Sequence, residues 1–120
     1  MTDPISEPAL MGLITAVERA LLMMTHRDRP SLETAEKGNW RVVDALRSLA
    51  WVSDDEPLFA HFVADAWRLH ALVHQPKIES RHVAGVRDAA LRRLAQIRQR
   101  VIAYNARLER SHRALLEAER

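Results

Sequence analysis

"SRHVAGVRDAALRRLAQIRQRVIAYNARLERSHRALLEAER", residues 80–120, decides the fold. No proline and no cluster of turn residues interrupts it. Ser80 is expected to cap a helix that runs over 81–119, roughly 60 Å long at about 1.5 Å per residue. Its apolar positions are Val83, Val86, Ala90, Leu94, Ile97, Val101, Tyr104, Leu108 and Leu115. From Ala90 onward they recur at alternating spacings of four and three, the heptad of a coiled coil. Ser111 stands where the next seam residue belongs, so the seam weakens towards its end.

Working outward, the five prolines (Pro4, Pro8, Pro30, Pro57, Pro76) all fall between apolar-periodic stretches, which is punctuation for helices. The first helix is expected from about Pro8 to His26, with Leu10, Leu13, Ile14, Val17, Ala20, Leu21 and Met24 on one face. "HRDRPS" then stops it. Ser31 is expected to cap a second helix, "SLETAEKGNWRVVDALRSLAWV", in which Gly38 suggests a kink or a restart capped by Asn39. "SDDEP", with Asp54 and Asp55, reads as a stop followed by a new start. The third helix, "PLFAHFVADAWRLHALVHQ", places Phe59, Phe62, Val63, Ala66, Leu69 and Val73 inside, and Pro76 closes it.

The expected fold is therefore all-α: one domain over 1–120, a small antiparallel bundle of about four helices with a long, coiled-coil-like last helix. Residues 1–7 are expected to be flexible. The three earlier helices cover roughly 30 Å each, about half of the fourth. Leu108, Leu115 and Leu116 should project beyond them, unless the last helix breaks near Asn105 and folds back. An uncovered apolar seam marks an interface.

Composition narrows the class. Apolar residues make up 48% and charged residues 28%, too apolar for a disordered chain. There is no cysteine, which excludes disulfides and thiolate metal sites. No run approaches the roughly 20 apolar residues of a membrane span, and "MTDPISEP" is too acidic for a secretory signal. The expected setting is the cytoplasm. Residues 1–76 carry seven Lys/Arg against eleven Asp/Glu, and residues 77–120 carry eleven against five. Such asymmetry means either attraction between the two halves of one fold or an acidic partner such as a nucleic acid.

A second stripe on the second helix, Trp40, Asp44, Arg47 and Trp51, lies well away from its core stripe. Either the fourth helix or a second subunit covers the tryptophans, or they form a binding surface, since Trp and Arg are enriched at interface hot spots.

Catalytic constellations are absent. His70 and His74 stand at i, i+4 beside Trp67, a spacing that suits a metal. No Glu follows His70 as in HExxH and no third ligand is apparent, so no tight metal site is expected. His61 lies on the other side of that helix with Asp65. Arg107/His112 and Arg68/His74 match short ribonuclease-like spacings, but the first pair does not converge on one face. There is no phosphate loop, nucleophile elbow or triad. The Arg-rich last helix spreads its charge round the outer face, and Tyr104 belongs to the apolar stripe rather than to a stacking surface.

"AEKGNWRVVDALRSL", residues 35–49, resembles the A-x-x-G-[DN]-W-x-x-[LV]-x-x-L segment of bacterial flagellar export chaperones of the FliT type. That resemblance implies a small helical bundle that holds export substrates or secretion components through an apolar helical surface. It makes Ala35, Gly38, Trp40 and Leu46 structural positions.

The reading that emerges is a non-enzymatic protein-binding module, without cofactor or metal and homodimeric. The alternative is an Arg-rich helical nucleic-acid binder. The expected partner-binding residues are Trp40, Arg47, Trp51, Tyr104, Leu108, His112, Leu115 and Leu116.

Overall fold

The computed structural model describes residues 7–49, 52 and 56–119, which places Trp51, Asp54, Asp55 and most of the 1–7 stretch outside the described residues. Four helices follow one another: α1 (Glu7–Leu22), α2 (Arg29–Arg47), α3 (Pro57–Val73) and α4 (Ser80–Ala118). Helix α1 packs on α2 and α4, and α3 packs on α2 and α4. The helices thus stand at the corners of a square, with α1 and α3 on one diagonal and α2 and α4 on the other. Neighbours run antiparallel. The all-α bundle is the expected one.

The core follows most of the stripes read from the sequence, with Leu13, Ala20, Val63 and Val86 half-buried at its edge and Leu32 and Ala35 added from α2. Leu10, Ile14, Val17 and Leu21 of α1 meet Leu32, Ala35, Val42, Val43 and Leu46 of α2, all buried. Phe59, Phe62, Ala66, Leu69 and Val73 of α3 close on Val83, Ala90, Leu94, Ile97 and Val101 of α4. Burying a side chain of this size stabilises by about 1.5–3 kcal/mol, so these stripes carry the fold.

Helix ends differ from expectation in several places, and α2 and α3 stop at Arg47 and Val73, short of the expected Val52 and Gln75. Asp28, not Ser31, caps α2: its carboxylate accepts from the Ser31 N–H at 3.4 Å, and Pro30 lies inside the first turn. Proline fits there because the first turn's N–H groups have no intrahelical acceptor. Ser31 instead ties the loop, donating its hydroxyl to the Asp28 carbonyl at 2.6 Å and accepting from the Thr25 N–H at 3.2 Å. The first helix accordingly ends at Leu22 rather than His26. Ser80 does not cap α4; Glu79 holds the cap position without a side-chain bond.

Gly38 neither kinks nor restarts α2, which is continuous. A Cβ on Gly38 would lie 2.8 Å from Val17 Cγ2, so the glycine is there to let α1 approach. Asn39 is no cap either; it is fully buried in the core stripe.

Polar contacts hold both ends of α3. The Glu56 carboxylate accepts from the Phe59 N–H at 2.8 Å, capping α3. At the other end of α3, Arg29 donates to the carbonyls of Val73 and Gln75, where a cation suits the negative end of the helix dipole.

Helix α4 has 39 residues and does not break at Asn105. Its length of about 58 Å nearly spans the longest dimension of the molecule, 65 Å, against 27 and 25 Å across. No helix of the described residues is long and apolar enough to cross a membrane.

Candidate functional site

The charge asymmetry resolves within the chain. Arg93 reaches Asp65 of α3 at 3.3 Å, Arg98 pairs with Glu18 of α1 and donates to Thr15 at 3.0 Å, and Arg100 reaches Glu56 at 3.5 Å. Asp65, only 1% exposed, also accepts from Arg68 at 2.9 Å. It forms the edge of a cleft of about 550 Å³ between α3 and α4. The sequence put Asp65 with His61 on the side of the helix opposite His70 and His74; in the fold His61 is exposed and Asp65 is buried. The basic α4 is thus drawn to the acidic helices by its own bundle.

Beyond Val101 the environment of α4 changes. From Ile102 to Glu119 no residue is buried, and only Tyr104 and Asn105 are half-buried. Leu108 is 50% exposed, Leu115 65% and Leu116 50%. The apolar stripe that seats Leu94, Ile97 and Val101 in the core continues, in the same register, along a helix that no other described element covers. Three arginines (107, 110, 113) and three glutamates (109, 117, 119) share this projecting half with His112. Arg107 and His112 are both solvent-exposed there.

The tryptophan stripe has a cover that the sequence did not suggest. For Trp40 it comes from Trp67 of α3, which meets it edge to face, ring centroids 5.0 Å apart. Trp40 is half-buried, and its indole N–H donates to Glu36 at 3.0 Å. Arg47 lies 5.8 Å from the centroid of the Phe59 ring, and it approaches Asp44 at 3.8 Å. Trp40 and Arg47 lie on the α2–α3 side of the bundle, and α2 does not pack on α4.

The same α2–α3 face gathers a polar group. Glu36 Oε2 lies 2.7 Å from His70 Nδ1. His70 packs against Trp67 on one side, at 5.6 Å, and against His74 on the other, at 4.4 Å between ring centroids. Glu36, His70 and His74 each offer one ligand-type atom, and all three atoms lie within 4.8 Å of one another. The expectation that no third ligand stands near the histidine pair is thereby corrected. Glu36 escaped notice because it belongs to another helix, and sequence spacing says nothing of register between helices.

No family model, curated protein or solved structure matches the chain.

Proposed function

We propose that this protein is a non-enzymatic helical protein-binding module, and that the projecting half of α4 pairs with the same segment of a second copy. One observation carries the reading: the buried α4 stripe continues past Val101 as exposed leucines on an unbroken helix. Leaving Leu108, Leu115 and Leu116 in water forfeits about 1.5–3 kcal/mol per side chain relative to burial. Charge favours an antiparallel pair. With Leu108 of one helix against Leu115 of the other, Arg107 comes opposite Glu117 within one residue, whereas a parallel pair sets like against like.

The resemblance of residues 35–49 to export chaperones supports a second use of the same leucines, the capture of an apolar helix of an export substrate or secretion component in competition with the dimer. In that segment Ala35 and Leu46 are buried and Gly38 lies against Val17, packing roles rather than chemical ones. The nucleic-acid alternative loses support because Arg93, Arg98 and Arg100 are committed to acids of the bundle.

Light scattering on the intact chain and on one truncated after Tyr104 tests the proposal. The intact chain is expected to be a dimer and the truncated one a monomer. Two monomers of equal helicity per residue would remove the dimer reading.

A further inference from the structure

We propose that Glu36, His70 and His74 form a zinc site that joins α2 to α3. The site is separate from the projecting half of α4, and its argument does not depend on what that segment binds.

Two imidazoles on one helix face leave a divalent ion short of ligands. The bundle supplies the missing one. Glu36 on α2 sets a carboxylate oxygen 2.7 Å from His70 Nδ1, and the three donor atoms fall within 4.8 Å of one another. Around a tetrahedral zinc with bonds of about 2.0–2.2 Å, ligand atoms lie roughly 3.3–3.5 Å apart. That geometry requires opening the Glu36–His70 hydrogen bond slightly and drawing His74 inward by up to about 1–1.5 Å.

The surroundings fit the donor set. The Trp40 indole N–H donates to Glu36 Oε2, the kind of outer hydrogen bond that aims a liganding carboxylate. Trp67 walls one side of His70. The Glu36 side chain is 15% exposed and His70 42%, while His74 is exposed and offers an entry path. Two neutral imidazoles and one carboxylate suit zinc, and the set leaves a fourth position open to water. With ligands on two helices, the ion would act as a cross-link between them.

The test is a zinc titration of the untagged full chain, followed by calorimetry and by thermal unfolding. One equivalent of zinc is expected to bind and to raise the melting temperature. Glu36→Gln keeps an oxygen for Trp40 and is expected to weaken zinc by tenfold or more and to abolish the thermal shift. His74→Ala changes an exposed residue, so it tests the site without threatening the core, and the same loss is expected. Circular dichroism confirms that each variant keeps its helicity. Absence of binding overturns the proposal. So does zinc that binds Glu36→Gln as tightly as the parent chain, because the ion would then sit adventitiously on the α3 histidines.

Discussion

Asn39 is a polar residue buried without compensation. It is fully enclosed, and neither its side-chain nitrogen nor its oxygen has a hydrogen-bond partner among the described residues. An unsatisfied buried polar group costs about 1–3 kcal/mol. Asn39→Leu is therefore expected to stabilise the protein by about that amount in chemical denaturation. A loss of similar size would show instead that both atoms are bonded through buried water. Its immediate neighbour Gly38 shows the opposite economy. Gly38→Ala would gain about 1 kcal/mol of helix propensity. Its Cβ, 2.8 Å from Val17 Cγ2, would collide with a short branched side chain that cannot swing aside. Overpacking of this kind costs about 1–3 kcal/mol, so net destabilisation is expected. Val17→Ala in the same chain should recover part of it, and a double-mutant cycle that finds the two changes additive would separate the residues energetically.

Among the elements, α3 depends most on its ends. Glu56→Ala removes the carboxylate that accepts from Phe59 and is expected to cost about 1 kcal/mol, read as a fall in denaturation midpoint. Arg93→Met should be costlier. It strips one of two cations from the enclosed Asp65, and hydrogen bonds to charged groups contribute about 1.5–3 kcal/mol. These effects mark the limit of what the sequence tells. Stripes such as Leu10–Ile14–Val17–Leu21 and Leu94–Ile97–Val101 are legible because a period of 3.6 residues is a local property. The helix start misjudged at Ser31 depends on which of several polar neighbours captures an N–H, and at the start of α4 no side chain does. Glu36 beside His70, Trp67 over Trp40 and Gly38 against Val17 are juxtapositions between helices. They follow from rotation and axial shift of one helix on another, which no single stripe encodes. The projecting leucines were legible for a simpler reason: lengths of helices can be compared by counting.

For the whole molecule, the division of labour along α4 predicts how association responds to salt. In its first half Arg93, Arg98 and Arg100 pair with Asp65, Glu18 and Glu56, while the second half presents leucines with nearly balanced charge. Apolar pairing is barely screened, whereas a protein that neutralises several phosphates loses about 10³–10⁵ in affinity between roughly 50 and 200 mM salt. The dimer constant, measured by sedimentation over that range, is expected to change less than about tenfold. A steep decline would point to charge as the cause of association.

Continuity of α4 has a mechanical consequence. The helix leaves the bundle with no hinge, so the bundle and the far end form one stiff rod 65 Å long. Overlapping two such rods over their last 17 or so residues, about 25 Å, would hold two bundles at the ends of a body roughly 105 Å in length. The spacing would then be set by a residue count, as on a ruler, and not by the wandering of a flexible tether. Small-angle scattering would record it as two separated masses at a fixed distance, and an insertion of seven residues after Val101 should lengthen the object by about 10 Å per chain without altering either bundle.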